Sequence, residues 1–223
     1  MPQLPAPTSE EINVVLVGAL NPAIFHPEWF VRQELLTEAE ARGSHVELIT
    51  PQVSDLRFPD FGLQVLQNRL TIKTVDVSKA PKINDLIIGI LTRLPHTPIS
   101  AVGINQALHL ETGSEESWHR IGDSLAPKEP IWRALYEKPG MSSVTIQSPR
   151  SGQFAGDINV SVQPSVLARP GVYVTSNFEY KPPTEGETAS RAREFIKSEW
   201  KVAIKEATRV VEEIFQKLVW EQA

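Results

Sequence analysis

Cysteine is absent from the 223 residues. That removes disulfides, thiolate nucleophiles, cysteine-ligated zinc and iron–sulfur clusters from consideration. Long apolar runs are absent too. The longest, Leu86 to Leu91 with Gly89 inside it, falls far short of the eighteen or so residues that a membrane span requires. The opening residues, MPQLPAPTSEEI, show no basic stretch followed by an apolar one, so no signal peptide is expected and a cytoplasmic location is. Positive charge is not in excess: 22 basic against 27 acidic residues leave a net charge of −5. Broad binding to a phosphate backbone is thereby disfavoured. Glycine is sparse, and no two of the 12 stand two apart. The sequence holds no G-x-G-x-x-G, no P-loop, no H-E-x-x-H and no G-x-S-x-G, and no cofactor is implied.

What remains is an ordinary globular composition, 41% apolar and 22% charged. A folded chain of this mass should expose about 10,000 Å² and bury roughly 70% of its extended surface, enough for a core without staples. Residues 1–11 read as a flexible arm with three prolines. Ile12 to Leu20 reads as a buried strand. A helix then starts at Pro27, runs to about Arg42 and stops at Gly43. Strands follow at 46–49 and around Leu56, with a hairpin of 62–67 and 70–77 turning across Asn68-Arg69. There Leu70, Ile72 and Val75 are the inward set. Pro81 opens an amphipathic helix reaching Arg93.

The order then repeats. Ile99 to Leu110 is apolar and strand-like, and Ser114 caps a short helix with Glu115 and Glu116 in its first turn. Residues 141–148, 157–163 and 171–180 alternate in three half-buried strands. A helix of some thirty residues extends from Gly186 to about Trp220. The expected class is α+β, a curved antiparallel sheet with helices on one face. Two β-α-β-β-β-α halves, 12–98 and 99–223, would complete it. The openings Val17-Gly18 and Val102-Gly103, each followed by an Asn (Asn21, Asn105) and a His (His26, His109), hint at duplication. In element order alone this is similar to the saddle of the TATA-box-binding-protein fold, an analogy of topology that carries no function.

Candidate chemistry is thin. Glu115, His119 and Asp123 lie on one helical face and form a conceivable metal set, although Trp118, Ile121 and Leu125 opposite them suggest a plain solvated side. His109 and Glu111 share a strand face, and His26 beside them would complete an acid–base site between the halves. Phe25 and Trp29, in the densest aromatic patch, and Trp132, in a proline-framed loop, are candidate interface anchors. Core packing at the strand-to-helix corner is the competing reading for the first two.

The stretches LNPAIFHPEWF, VGIN and SEESWHRIGDSLAPKEPIW resemble a group of uncharacterised bacterial proteins of similar length. The resemblance covers most of the chain and implies a bacterial cytoplasmic protein, without an activity, cofactor or site residue attached. The outward strand positions, Thr71, Lys73, Ser143, Thr145, Gln147, Asp157, Asn159, Ser161, Gln163, Thr175 and Asn177, are short, mostly uncharged hydrogen-bonding groups. They suit contact with a partner. In the last helix Ile196, Trp200, Ala203, Ala207, Val210 and Ile214 form a heptad seam, flanked by a second stripe of Ile204, Val211, Phe215 and Leu218. One stripe could pack on the sheet while the other, with Phe215, Leu218 and Trp220 at its far end, meets a protein partner or a second chain in a homodimer. The leading expectation is a non-catalytic binding or assembly protein in a bacterial cytoplasmic complex. A hydrolase-like enzyme using the histidines is the alternative. Nucleic-acid binding, with Arg69, Lys73, Arg150 and Arg169 gathered on one face, is third.

Overall fold

A computed structural model describes residues 4–150, 152–183 and 188–221. Nine antiparallel strands form one open sheet in the order β2-β3-β4-β5-β1-β6-β9-β8-β7. The strands are β1 (Ser9–Gly18), β2 (His45–Ile49), β3 (Val53–Arg57), β4 (Gly62–Leu66) and β5 (Arg69–Thr74), then β6 (Ile99–Glu111), β7 (Val144–Arg150), β8 (Gly156–Pro164) and β9 (Gly171–Tyr180). Helices α1 (Pro27–Arg32), α2 (Glu38–Arg42), α3 (Ala80–Arg93), α4 (Glu115–Leu125), α5 (Trp132–Leu135) and α6 (Thr188–Phe215) complete the α+β architecture.

The centre of the sheet is the pairing of β1 with β6, Val14 opposite Ile104 and Asn13 opposite Asn105. Period-two alternation decides which face is buried. Ile12, Val14 and Leu16 of β1, and Val102 and Ile104 of β6, point to the helices and are wholly buried. Their neighbours Asn13, Val15, Asn105 and Ala107 face the other way and are half-exposed. α3 and α6 pack side by side beneath the middle of the sheet, α3 on β5 and α6 on β6 and β9. α3 presents Ile83, Leu86, Ile87, Ile90 and Leu91 to the core, the stripe expected from its spacing.

The core divides in two. The larger cluster holds the aromatic corner of Phe25, Phe30, Phe58 and Phe61 together with Phe178, Phe195 and Trp200. The smaller joins Leu108, Leu110, Ile121, Val174, Val211 and Phe215 at the far end of α6. Between them on the helix-facing side of the sheet lies a polar layer. Gln106, 3% exposed, donates to Glu10 and stands opposite the buried Ser176.

Several local expectations are corrected. β1 begins at Ser9, inside the stretch expected as a flexible arm, and Leu4 already packs on the smaller cluster. The single helix expected from Pro27 to Arg42 is two. Glu34 adopts φ = 58°, which breaks the helix, and α2 restarts at a capping box of Thr37 and Glu40. Val75 is 70% exposed, while Thr74 is buried with its hydroxyl donating to the Asp60 carbonyl. The Val17-Gly18 and Val102-Gly103 match is out of phase, since Val17 faces outward and Val102 is buried. Gly186, where the last helix was expected to start, lies outside the described residues. α6 is described from Thr188 and ends in a π turn, Gln216–Trp220.

Candidate functional site

The face of the sheet opposite the helices is built from residues that a core would reject. Register aligns Lys73, Asn13, Asn105, Asn177, Asn159 and Gln147 in one row across six strands. The row is wired. Asn177 donates to Asn105, Asn105 Nδ2 donates to Asn13 Oδ1 at 2.7 Å, and Asn13 Nδ2 donates to Glu11 Oε1 at 3.0 Å. Lys73 Nζ closes the chain on Glu11 Oε2 at 3.0 Å. Each amide donates in the same sense, so the dipoles reinforce one another and hold the side chains in one rotamer. Gly103 leaves room beside this row, since a Cβ there would stand 2.8 Å from Asn177 Nδ2 and push that amide aside.

Two shallow depressions mark the same face. One, of about 380 Å³, is lined by Asn13, Val15, Ala107, Tyr173, Thr175 and Asn177 among others. The second, of about 650 Å³, adjoins it through Glu11 and Thr71 and reaches Arg57 and Gln64. On β1–β5 this face carries charges, of which Arg57 pairs with Glu47 at 2.9 Å and Lys73 with Glu11. On β7–β9 the row and its neighbours on one side, Thr145, Gln147, Asn159, Ser161 and Thr175, are uncharged, while Asp157 and Glu179 flank it on the other, Glu179 paired with Lys181. The outward set read from strand alternation therefore shares one surface. Asn13 and Asn105, its central members, were not in that set; an Asn at mid-strand in each of two otherwise apolar runs was the available signal.

The histidine site does not assemble. His109 pairs with Ser9 at the start of β1, whereas His26 follows the turn beyond its end. Ten strand residues at about 3.3 Å each separate those two ends. His26 Nδ1 instead meets Glu28 at 2.9 Å. His109 stacks on Tyr173 with ring centroids 4.2 Å apart and bonds Ser165 Oγ at 2.8 Å. Burial there holds its pKa below the usual value. Ser165 in turn accepts from the Leu167 and Ala168 amides. His109 thus braces the β8–β9 loop. Glu111, exposed, pairs across the strands with Gly171. His119 is exposed and Asp123 is engaged by Lys128. Among the described residues no three His, Asp or Glu side chains converge as metal ligands.

The basic set is likewise scattered. Arg69 and Lys73 share the open face, but Arg150 points to the helix side. There its guanidinium pairs with Glu199 and lies over the rings of Phe178 and Phe195 at 5.7 and 5.5 Å. Arg169 sits in an exposed loop outside the strands.

The proposed anchors divide sharply. Phe25 is 0% exposed, its carbonyl accepting from the Ser54 hydroxyl, and Phe215 is 1% exposed, so neither has surface to offer. Trp29 packs between Phe25 and Phe30 at 5.2 and 5.0 Å. Leu218 and Trp220 are half-buried against the smaller cluster. The two stripes of α6 are one wide face, all of it turned inward. From Ala203 the buried line runs in steps of four through Ala207, Val211 and Phe215 to Val219, away from the heptad positions Val210 and Ile214. Among the described residues Val202 is the large apolar side chain of α6 left exposed. The buried line of this helix is taken up by packing within the chain, and Ile204, Val210, Ile214, Leu218 and Trp220 are half-buried beside it.

Trp132 is different. It is 49% exposed, and Ile131, Leu135 and Tyr136 beside it are 60%, 64% and 60% exposed. Sequence reading picked out Trp132 alone. Four large apolar residues within six, behind a pair of prolines, was the signal for the rest. No helix is long and apolar enough to cross a membrane among the described residues. No family model matches this chain, and no curated protein does.

Proposed function

We propose that this is a non-catalytic protein-binding module of a bacterial cytoplasmic assembly, and that its binding surface is the open face of the nine-stranded sheet. The observation that supports the reading is the amide row. A face that met only water would gain nothing from side chains locked in a directed chain of hydrogen bonds. A face that receives a partner gains preorganisation, because the entropy of ordering those groups is already lost before contact. Short uncharged donors and acceptors on β7–β9, fixed in register, suit a polar and weakly charged polypeptide surface. The acidic balance and the neutralised Lys73 disfavour a nucleic acid.

The test is a photo-crosslinking residue placed at Thr175, on the open face, and for comparison at Glu212, on the exposed side of α6. In a bacterial host the Thr175 probe should give one dominant protein adduct that the Glu212 probe does not. The identified partner, purified, should bind the wild type and lose at least about tenfold in affinity to Asn159→Arg and Gln147→Arg, one well-placed contact pair being worth about that much. Absence of an adduct at Thr175, or binding indifferent to both substitutions, would overturn the proposal.

A further inference from the structure

Two hollows of the molecule carry opposite signs. The larger, on the open face, is lined by Glu11, Asp55, Asp60 and Asp76 against Arg57 and Lys73. The other, of about 460 Å³, lies on the β6–β9 flank among α4, the connection 128–141 and the facing ends of β8 and β9. Its charged lining is Lys128, Arg133 and Lys138 with Asp123 and Glu137. A lining with a cationic surplus runs against the composition of a chain whose net charge is −5.

The chain fixes the shape of this second hollow. Gly122 lets the connection approach α4: a Cβ there would meet Lys128 Nζ at 3.8 Å and Met141 Cβ at 3.9 Å. The Lys128 side chain, 11% exposed, is pinned by Asp123, and the Lys128 carbonyl accepts the Trp132 and Arg133 amides at 2.9 and 3.2 Å. Trp118 and Met141 pack on the smaller core cluster, and Val172 pairs with Pro164 across the strands. With Pro139 these residues make part of the lining apolar and aromatic. The remainder is cationic and only partly engaged. Lys128 is occupied by Asp123, whereas Arg133 meets Glu129 at 3.5 Å with its own side chain 61% exposed. Among the described residues Lys138 makes no ion pair or hydrogen bond.

We infer that this hollow is a binding site for a small aromatic carboxylate, its ring against Trp118 and Met141 and its carboxylate on Arg133 and Lys138. The volume falls within the range of about 300–1,000 Å³ found for small-ligand pockets, and an apolar lining with a few polar groups is what such pockets share. An indole and a thioether both favour an aromatic ring over an aliphatic chain. A guanidinium with free donors matches the two oxygens of a carboxylate. The number of charges follows from the same residues. With Lys128 and Asp123 cancelling, Arg133 and Lys138 against Glu137 leave one positive charge. α4 meets the hollow with its middle and last turns, Trp118 to Asp123, and the C-terminal half of a helix disfavours added negative charge. A monoanion suits that balance and a phosphate monoester exceeds it. His119 and Asp123, expected on a plain solvated helix side, thereby border a ligand.

Naphthoate is the probe, titrated into the full chain by calorimetry, with naphthylmethanol, naphthylmethylamine and naphthyl phosphate for comparison. The carboxylate should bind at one site with a Kd below about 1 mM, and at least about tenfold more tightly than each of the other three, the scale of a charge-assisted hydrogen bond. Arg133→Gln combined with Lys138→Gln should weaken the carboxylate at least about tenfold and leave the alcohol within about twofold, so that the preference disappears. Both positions are exposed, and an unchanged thermal melt shows that this variant folds. Gly122→Leu puts a side chain into the hollow and should weaken the carboxylate and the alcohol alike. If its melt shows that it does not fold, the charge variant decides alone. No binding of the carboxylate, a preference for the alcohol, the amine or the phosphate, or binding indifferent to the charge variant would overturn the inference. The open face keeps its residues in both variants, so the partner crosslink at Thr175 stands or falls separately.

Discussion

The flank β1–β5 and the flank β6–β9 solve one problem with different means. Each is a set of antiparallel strands that must cover one face. The first does so with an unbroken train of rings, Phe25 to Phe30 at 6.2 Å, Phe30 to Phe58 at 5.9 Å and Phe58 stacked on Phe61 at 4.5 Å. It adds an electrostatic clasp, Lys82 of α3 between Glu40 of α2 at 2.5 Å and Asp60 of the β3–β4 turn at 2.6 Å. The second flank uses α6 over β6 and β9 and α4 beside it, whose Ile121 joins Val162, Val172 and Val174, and leaves Ile146 of the edge strand exposed. Coverage, rather than strand pairing, separates the two. Rings complete the first flank, and helices cover all but the edge of the second.

Three measurements bear on that contrast. Phe30→Ala should be the most damaging, at about 3–5 kcal/mol, because it empties a fully enclosed aromatic site. Denaturant unfolding of the variant reads this directly, and a loss under about 1 kcal/mol would mean that the rings are not what completes the flank. Smaller is the effect of pH on the clasp. Hydrogen bonds from Lys82, then from the Thr37 hydroxyl and amide, hold Glu40 down to about 2 from its ordinary 4.5. Its contribution is therefore complete above about pH 4.5 and fades as pH falls toward 2. Asp60 is lowered in the same direction, chiefly by Lys82. Lys82→Met should flatten the fall in stability across that window, and an unchanged acid limb would refute the clasp. Smallest is Leu135→Ala. It should alter stability by no more than about 0.5 kcal/mol, as an exposed position does. A larger loss would place Leu135 inside a core after all.

Strand alternation made β5, β8 and β9 and their outward residues readable, because a period of two needs only the local sequence. The stripe of α3 was readable for the same reason. The break at Glu34 was not. A positive φ on a residue other than glycine is imposed by packing, here by Leu36 turning into the core. Nor could spacing tell a buried Phe25 from an exposed Trp132, since both stand in proline-framed aromatic segments and only the path of the connection separates them. In α6 the heptad positions and the line of fours coincide at Ala203 and Ala207, then diverge. A sheet on one side and α3 on the other chose the fours. His26 and His109 illustrate a last limit. Each follows or ends a strand, but which end of the sheet each reaches depends on strand direction, which a motif does not encode.

The pairing of Asn13 with Asn105 spans 92 residues of chain, and that separation has a consequence during synthesis. β1 receives β5 as soon as residue 74 is made, but its other edge has no partner until β6 ends at Glu111. At translation rates of about 5–20 residues per second, Ile12, Val14 and Leu16 stand for about two to seven seconds at the rim of a five-stranded nascent sheet. The polar residues on the opposite face of that rim, Glu11 and Asn13, give the unfinished edge a soluble side during the interval. The same carboxylate and amide that later anchor the row across the finished sheet serve first as guards of an incomplete one.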